Sequence, residues 1–279
     1  MDPLYTLAER PARGDAPGVP GPGGADALAG SAAAGVHVFD MSRSTWQPTA
    51  NPGLSLKPVR HDNEQGLFLG LVRFEPFARS GLHQHQGVAT SFVIDGGLTD
   101  HHGSIGLHQA GINVRGSTHD AISYRHTVLV SRLEGPVTYP PASDISGVHA
   151  GSRHAWFHNP DPDVPPEVNV SVDALALQPT GMAGVRRQTV FDYRGTGTGR
   201  RMVQLTVRPE SEFEFRAGAL TEFWVRGGTL GVNGATAHAN CFVVCEAGAT
   251  VRLASPFGAL LIGWAEGREL GVGNLFGFD

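Results

Sequence analysis

Short hydrophobic runs, interrupted by glycine and proline, dominate the chain. Three strong runs lie in the first half, at Leu67–Phe74, Thr90–Ile94 and His126–Leu133, and Met202–Val207 and Ala259–Trp264 are comparable runs in the second. The 38 glycines and 19 prolines supply many turns, which fits short strands better than long helices. Many short strands joined by turns are typical of β-barrels and β-sandwiches. The pattern therefore predicts an all-β fold.

Both halves of the chain contain a hairpin signal of the same kind. In the first half Thr90–Ile94 is closed by Asp95-Gly96-Gly97, and in the second Glu222–Val232 contains Gly227-Gly228. Paired glycines between two hydrophobic runs favour a tight turn. Two β units of similar length, each with such a hairpin at its centre, indicate an internal duplication. We therefore expect two similar β domains in tandem.

Shifts in composition indicate where these domains begin and end. Residues 1–35 are rich in proline, glycine and alanine, so they bury little surface and are predicted to form a mobile tail. A proline-rich, loop-like region runs from Tyr139 to Pro166. We predict a first domain over residues 36–158, a linker over 159–168 and a second domain over 169–279.

The charge balance argues against two classes of partner. The net charge is -5, the pI is about 6.2 and 17% of the residues are charged, so neither nucleic acid nor an anionic membrane surface is favoured. The first residues lack the charged and apolar regions of a signal peptide. No hydrophobic run approaches the length that spans a bilayer. We therefore expect a cytoplasmic protein.

The two cysteines, Cys241 and Cys245, are too few for a disulfide framework. Their spacing differs from the C-x-x-C of redox and zinc motifs. On a strand they would share one face, and the pattern favours two small buried side chains.

Two histidines one residue apart, His83 and His85, are the strongest chemical signal. On a strand alternate side chains share a face, so both imidazoles point the same way. A third histidine, His119, follows a glycine turn downstream of the first hairpin. Neutral imidazoles suit Fe, Zn, Ni and Cu, whereas Mg and Ca prefer oxygen ligands. These three residues predict a site for one divalent transition-metal ion.

Around these histidines the sequence resembles the cupins. The first cupin motif is a Gly, a His-x-His, a Glu a few residues later and a Gly, and the second is a Gly turn followed by a His. The matching residues are Gly81, His83, His85 and Gly97 for the first motif, and Gly111, Gly116 and His119 for the second. The motif glutamate is missing, because its position falls on Ala89 or Thr90. Neither residue is a carboxylate, and Thr90 is at best a weak ligand.

The details resemble the branch of the ChrR-type anti-sigma factors and the 2,4'-dihydroxyacetophenone dioxygenases. Members of that branch often carry a glutamate in the return strand of the hairpin, where this chain has Asp100-His101-His102-Gly103. The resemblance implies that one of the two imidazoles replaces that carboxylate as a fourth ligand. Neighbouring residues on a strand face opposite ways, so only one of the two histidines can point at the metal. The alternation of side chains cannot be continued reliably through the turn, so it does not decide which one. We expect His101 by its position in the hairpin, with His102 as the alternative.

The second half resembles a cupin without a metal site. Glu222 to Gly228 falls where the motif Glu and Gly belong, but Phe213 and Phe215 stand where His-x-His is expected, and no histidine lies near Gly258. We therefore expect two tandem cupin barrels, that is, double-stranded β-helix jelly rolls, of which only the first binds metal. Because cupins commonly pair, the resemblance also implies a homodimer.

The resemblance implies a mononuclear metal-dependent dioxygenase. Its substrates would be dioxygen and a small hydroxy-ketone or diketone that is cleaved at a C–C bond. Fe(II) is the favoured cofactor, with Zn(II) and Ni(II) as alternatives, held by His83, His85, His101 and His119. The alternative function is a zinc-binding sensor or a ligand-binding protein without turnover. An anti-sigma factor would also carry an N-terminal helical domain with a His/Cys zinc site, and residues 1–60 contain no cysteine and almost no helical pattern.

Overall fold

The computed structural model describes residues 34–100, 103–139, 168–192 and 200–266. Within these ranges the regular structure is antiparallel β-sheet, apart from one 3-10 turn at Val172–Ala174. The all-β prediction is therefore confirmed. The described ranges contain no helix with the length and apolar character needed to cross a bilayer.

The strands are short in both halves, as the hydrophobic runs predict. In the described part of the first half they are β1 (Val36–Asp40), β2 (Gln47–Pro48), β3 (Leu54–Asp62), β4 (Leu67–Phe74), β5 (His83–His85), β6 (Ala89–Asp95), β7 (Gly97–Asp100), β8 (Gly103–Gly106), β9 (Gln109–Asn113), β10 (Thr118–His119), β11 (Thr127–Glu134) and β12 (Val137–Thr138). In the described part of the second half they are β13 (Val168–Ser171), β14 (Gln178–Pro179), β15 (Val185–Asp192), β16 (Arg201–Val207), β17 (Ser211–Arg216), β18 (Thr221–Val232), β19 (Ala235–His238), β20 (Cys241–Cys245), β21 (Thr250–Ser255) and β22 (Ala259–Ala265).

The predicted return of the chain at Gly96-Gly97 is wrong, because β7 pairs with β8 and not with β6, so the hairpin of the first half is β7–β8. In the second half Gly227-Gly228 likewise lies within the single strand β18, beside a bulge, and not in a hairpin turn. Gly96 joins β6 to β7 with φ +73°, a conformation that side chains with a Cβ rarely adopt. A Cβ at this position would also lie 2.2 Å from Thr127 Oγ1. Both the conformation and the close contact require glycine at this turn.

The first barrel has one large and one small wall. The large wall is a seven-stranded sheet in the order β13-β9-β6-β11-β4-β3-β2. The three-stranded sheet β10-β5-β12 and the hairpin β7-β8 complete the barrel. Side chains from both walls line the cavity described below, as expected of a jelly roll.

The second barrel is organised around the long strand β18. In the large sheet, ordered β1-β20-β18-β22-β16-β15-β14, the first half of β18 lies between β20 and β22. After a bulge between Val225 and Gly227, β18 also pairs with β19 and β21, and β21 pairs with β17. Buried apolar side chains fill the interior, among them Val36, Val38, Val203, Leu205, Phe215, Phe223, Leu230, Val243, Val251, Leu253 and Leu261.

Each barrel contains one strand from the other half of the chain. Strand β1 pairs with β20, from Val36 opposite Cys245 to Asp40 opposite Cys241. Strand β13 pairs with β9, from Val168 opposite Ile112 to Ser171 opposite Gln109. The boundaries predicted from composition assign β1 to the first barrel and most of β13 to the second, whereas the backbone hydrogen bonds join each to the opposite barrel. The predicted linker, 159–168, lies outside the described residues except for its last position.

The two large sheets pack against each other through a hydrophobic cluster to which both barrels contribute. Its buried members include Leu69, Leu71, Phe92 and Val130 from the first barrel and Met202, Trp224, Phe242, Ile262 and Trp264 from the second. Trp264 Nε1 donates a hydrogen bond to Thr90 Oγ1 at 3.0 Å across this interface. Strands of the first large sheet therefore have one face toward the cavity and the other toward the second barrel.

A buried group of charges crosses the same interface. Arg132 Nε donates to Glu222 Oε2 at 2.6 Å, and their side chains are only 3% and 1% exposed. Glu222 also accepts from Arg60 at 2.9 Å, and Arg132 contacts Glu134 and Glu266. Burial opposes the charge on Arg132, but the three carboxylates outweigh it and its pKa is raised. Glu222, which the sequence places at the glutamate of the second cupin motif, thus serves as an ion-pair partner of the first barrel.

Candidate metal centre

His83, His85 and His119 meet on two short antiparallel strands. Strand β5 carries His83 and His85, and β10 pairs with it so that His119 lies directly opposite His83. The turn before His119 is held by the Gly116 N–H, which donates to the His85 carbonyl at 2.7 Å. Alternation along β5 puts both of its imidazoles on the cavity face. The structure thus brings together three of the four residues that the sequence proposes as ligands.

The three imidazoles are close enough to share one ion. His85 Nε2 and His119 Nε2 are 3.2 Å apart, and the His83 ring centroid lies 4.8 Å from that of His85 and 4.6 Å from that of His119. One nitrogen of each ring lies within 4.8 Å of those of the other two. Two nitrogens about 2.1 Å from one ion, with an angle of about 100° at it, would be roughly 3.2 Å apart. The arrangement therefore fits a single transition-metal ion.

Hydrogen bonds at the Nδ1 atoms hold two of the rings. His83 Nδ1 is 2.7 Å from the Gly81 carbonyl oxygen, and His119 Nδ1 is 2.8 Å from Asp100 Oδ2. With the proton at Nδ1 donated to these oxygens, each Nε2 keeps a free lone pair. Metal-binding histidines usually donate such a hydrogen bond through the ring nitrogen that does not bind the metal. Asp100 is absent from the predicted site residues, although a carboxylate next to the candidate ligand His101 is a signal that could have identified it.

Burial keeps two of the imidazoles neutral. It lowers the pKa of His83 to about 4, and the neighbouring His119 adds to the effect. Burial, with His119 and His83 as further causes, also lowers the pKa of His85 well below its ordinary value. Because a metal binds the unprotonated ring, neither residue needs to lose a proton at neutral pH before it can act as a ligand.

The imidazoles face a cavity of about 390 Å³ inside the first barrel. Its wall is mainly apolar and includes Leu54, Leu56, Val72, Phe74, Ala89, Leu98, Leu129 and Leu133. The hydroxyl and amide groups in the wall belong to Asn51, Asn63, Ser80, Ser91, Asn113, Ser131 and Tyr139, and Asp62 adds a carboxylate. Ser91 Oγ and Ser131 Oγ are 3.4 Å apart on neighbouring strands. Among the described residues that line the cavity there is no lysine or arginine.

The two candidate positions for the missing motif glutamate face opposite sides of β6. Ala89 is buried and lines the cavity, whereas Thr90 is buried against Trp264 of the second barrel. Thr90 is therefore directed away from the imidazoles, and its proposed role as a weak ligand has no support in the geometry. The position that faces the cavity carries only the methyl group of Ala89. Strand β6 consequently supplies no carboxylate at this position, and room is left beside the imidazoles.

The proposed fourth ligand lies outside the described residues. His101 and its alternative His102 both fall in the gap between β7 and β8, so the identity of the fourth ligand stays a prediction. The neighbouring Asp100, at the end of β7, reaches His119. The end of β7 therefore reaches the histidine cluster through the contact of Asp100 with His119.

On the corresponding strands of the second barrel, hydrophobic side chains replace the imidazoles. Phe213 and Phe215 on β17 lie opposite Leu253 and Val251 on β21. Phe215, Leu253 and Val251 belong to the hydrophobic cluster that fills this barrel, and Phe213 packs against it. None of these four side chains offers a ligand atom, so the histidine site has no counterpart on these two strands.

Comparisons with known proteins agree with this architecture. Residues 34–138 match the family model of the ChrR cupin-like domain. A candidate dioxygenase from Nostoc punctiforme PCC 73102 has a similar structure, with a TM-score of 0.64 at 13% identity over 84% of this chain and 82% of that chain. Oxalate decarboxylase is also similar, with a TM-score of 0.54 at 12% identity over 83% of this chain and 77% of that chain. A variant of the enzyme from Bacillus subtilis has a TM-score of 0.53 at 12% identity over 84% and 78% of the two chains.

A search of curated proteins found no match. At 11–13% identity the solved structures establish the fold alone, and they do so over both barrels. The family match covers the first barrel and includes His83, His85 and His119. Residues 34–138 are therefore similar to a ChrR-like cupin domain, and the chain has a jelly-roll β fold like that of these solved structures.

Proposed function

We propose that the first barrel binds one divalent metal ion and is the active site of a dioxygenase that cleaves a C–C bond in a small hydroxy-ketone or diketone. The observation that carries the proposal is the convergence of three imidazoles on the wall of a largely apolar cavity. The similar fold of the candidate dioxygenase from Nostoc punctiforme supports the class of reaction.

His83, His85 and His119 would hold the ion, with His101 as the fourth ligand and His102 as its alternative. Neutral nitrogen ligands suit Fe(II), Zn(II) and Ni(II). We favour Fe(II), because the proposed reaction consumes dioxygen and zinc has no redox chemistry. When bound, the ion would supply Lewis acidity and, as iron, reactivity toward dioxygen.

The cavity wall favours a neutral substrate. The ion itself would neutralise an anionic group bound to it, but a carboxylate elsewhere in the cavity would lie among apolar side chains, and the described wall has no lysine or arginine to pair with it. A ketone with a second oxygen needs only hydrogen-bond partners, which the hydroxyls of Ser91 and Ser131 and the amide of Asn113 can supply. A volume of about 390 Å³ is at the lower end of the range for small-molecule sites. These features together support a small, neutral and partly hydrophobic substrate.

The residues around the ligands have separate roles in this proposal. Asp100 orients the His119 ring, and Ser91 and Ser131 donate hydrogen bonds to a substrate oxygen. The leucines of the wall exclude water and strengthen each polar contact inside the barrel. Ala89 leaves open the space that a glutamate would fill at this position, and the substrate would use that space.

The alternative is a zinc-binding sensor or a ligand-binding protein without turnover. The match of residues 34–138 to the ChrR cupin-like domain favours this alternative as much as it favours an enzyme. The bound metal distinguishes the two functions, since four-coordinate zinc is typical of closed structural or regulatory sites.

The first experiment measures the metal content of the purified chain by elemental mass spectrometry. We compare the wild type with the double variant His83→Ala/His85→Ala and with His126→Ala, whose half-exposed ring contacts Asp95 on the surface. Iron near one equivalent at the histidine site, absent in the double variant and kept in His126→Ala, is the expected result. Zinc alone at this site would favour the alternative function. No metal at this site after reconstitution would contradict both functions.

Oxygen uptake tests the reaction itself. We expect the iron-loaded wild type to consume one dioxygen per substrate and to leave oxalate unchanged. With both oxygen atoms incorporated, an aryl hydroxy-ketone should yield two carboxylic acids, and a 1,3-diketone a carboxylic acid and a dicarbonyl compound. The double variant should be inactive. Iron-loaded protein that consumes no dioxygen with any of these ketones would contradict the dioxygenase.

Light scattering after size-exclusion chromatography tests the homodimer that we propose for the active protein.

A further inference from the structure

Three potential metal ligands of different chemistry meet in the second barrel, on strands that contribute nothing to the histidine site. Asp40 ends β1, His238 ends β19 and Cys241 begins β20. Asp40 and Cys241 are direct partners across the β1–β20 pair, and neighbouring side chains at such positions share a face. A carboxylate oxygen, an imidazole nitrogen and the sulfur of these residues all lie within 4.8 Å of one another.

One carboxylate oxygen of Asp40 accepts hydrogen bonds from Ser42, and the other faces His238. Its Oδ1 accepts hydrogen bonds from Ser42 N at 2.9 Å and Ser42 Oγ at 2.6 Å. Its Oδ2 lies 3.7 Å from His238 Nε2, which is too far for a hydrogen bond. Two ligand atoms about 2.1 Å from one tetrahedral ion are roughly 3.4 Å apart, so a small shift would allow both to bind it.

Cys241 contributes a thiol that is fully buried and not in a disulfide. Burial raises the pKa of this thiol, a hydrogen bond from the backbone N–H of His238 partly opposes the effect, and the Asp40 carboxylate adds to it. A bound cation would reverse this balance, because metal coordination deprotonates a thiol. Lys57, the buried cation near Asp40, donates from Nζ to the Met41 carbonyl at 2.7 Å and does not fill the cluster.

We propose that Asp40, His238 and Cys241 form a second metal site, distinct from the histidine site and suited to Zn(II). Thiolate and imidazole ligands together select zinc over magnesium or calcium. His238 is about half exposed, so an ion can enter from solvent and a water molecule can complete a tetrahedral shell. The ion would link β1 to β19 and β20. Its role would be to stabilise the pairing of β1, a strand from the first half of the chain, with the second barrel.

Cys245 provides a matched control within the same strand. It lies four residues from Cys241 on β20, is equally buried and free, and belongs to no such cluster among the described residues. A serine at either position removes one sulfur from the same hydrophobic interior. Only the change at Cys241 should affect metal binding.

Cobalt(II) is the probe that separates the two sites, because thiolate ligation produces a near-ultraviolet charge-transfer band that an all-histidine site lacks. The metal-free full chain is titrated with cobalt under reducing conditions. We expect two equivalents to bind and the thiolate band to appear. Cys241→Ser and His238→Ala should each lose one equivalent and the band, whereas Cys245→Ser and the double variant His83→Ala/His85→Ala should keep the band.

The inference is overturned if saturating cobalt produces no thiolate band in the wild type, or if the band survives in both Cys241→Ser and His238→Ala. The His238→Ala variant guards against misfolding, because its side chain is about half exposed. Circular dichroism of each variant confirms that the loss of the band is not a loss of fold. Zinc should also raise the melting temperature of the double variant, but not that of the triple variant in which His238→Ala is added to it.

Discussion

At the scale of single residues, two histidine–aspartate pairs in the first barrel have similar chemistry and different surroundings. Asp100 contacts His119 beside the cavity, whereas Asp95 contacts the half-exposed His126 on the surface at 3.2 Å. Only the first pair orients a proposed ligand. The two pairs therefore allow the effect of orientation to be separated from the effect of charge removal.

We predict that Asp100→Asn weakens metal binding at the histidine site by about 10- to 100-fold, the usual range for loss of an outer partner of a ligand. Competition with a chelator measures the affinity, and the rate of oxygen uptake should fall in parallel. Asp95→Asn is the control and should leave both unchanged. Equal effects of the two substitutions would contradict the orienting role of Asp100.

The low pKa of His83 predicts a pH-dependent stability of the metal-free protein. The pKa of His83 is about 4 in the folded chain and near 6.5 when unfolded, so the unfolded state binds more protons between these values. The free energy of unfolding should be highest above pH 6.5 and should fall as the pH falls toward 4. The part due to His83 is at most about 3 kcal/mol.

Urea unfolding of the chelator-treated chain at pH 7 and pH 5 measures this dependence. His83→Asn cannot be protonated and should make the stability less dependent on pH, although His85 still acts in the same direction. An unchanged pH dependence in this variant would show that His83 is not responsible.

The alternation of side chains between the two faces of a strand explains what the sequence could and could not predict about the site. His83 and His85 lie on one short strand, so their common face follows from alternation alone. The orientation of Ala89 and Thr90 does not follow, because the turn between β5 and β6 breaks the alternation, and only the contact of Thr90 with Trp264 decides it. The contribution of Asp100 depends on how the hairpin folds back, and local spacing does not encode that.

At the scale of elements, the two faces of β6 lie in different environments, the cavity of the first barrel and the interface with the second barrel. Successive side chains of β6 face them in turn, and this alternation leads to the next prediction. Ala89→Glu places a carboxylate in the cavity, where the cupin motif has one. It should raise the affinity for a divalent ion, by at least about tenfold if the charge pairs with the ion in the low-dielectric interior. It should also reduce activity, because the carboxylate occupies the space we assign to the substrate. Isothermal titration with metal and oxygen-uptake assays measure the two effects.

The neighbouring change Thr90→Glu should behave in the opposite way. Its cross-strand neighbour Arg132 is already engaged by three carboxylates, so a further carboxylate buried against Trp264 has no cation of its own. We therefore expect a loss of about 3 kcal/mol or more in the free energy of unfolding and no gain in metal affinity. Denaturant unfolding tests this expectation. Similar behaviour of the two glutamate variants would mean that β6 does not separate the environments as described.

The strand assignments themselves were well predicted, because each hydrophobic run between turns forms a strand with limits close to those expected. The Gly-Gly hairpins were not predicted correctly: the glycines signal a local change of direction, with φ near +73° at Gly96, but β7 pairs with β8 and Gly227-Gly228 lies within β18. The pairing of β1 with β20 and of β13 with β9 was not predicted. Hydrophobic alternation shows that a strand has a buried face, but it carries no information about which distant strand lies beside it.

At the scale of the whole molecule, the buried charges between the barrels make the two halves one unit. Glu222 lies between Arg132 and Arg60 of the first barrel. We predict that Glu222→Gln lowers the free energy of unfolding by about 3 kcal/mol, because it leaves a buried guanidinium short of its partner. Urea unfolding measures the change.

The exposed pair of Glu212 and Arg252 on the second barrel is the control for this prediction. Glu212→Gln should change the stability by less than about 0.5 kcal/mol, as is usual for surface ion pairs. If both substitutions have the same small effect, the inter-barrel charges do not stabilise the assembly of the two barrels.

The exchange of strands also has a consequence for the synthesis of the protein. His37 and Glu246, which contact each other at 3.2 Å beside the β1–β20 pair, are 209 residues apart. At a translation rate of about 5–20 residues per second, β1 would leave the ribosome roughly 10 to 40 s before its partner. During that time Val36 and Val38 have no sheet to join, and the first barrel itself lacks β13 for part of it. The nascent chain would thus expose unpaired strand edges until its last strands emerge, and a ribosome-associated chaperone would have its greatest effect in this interval.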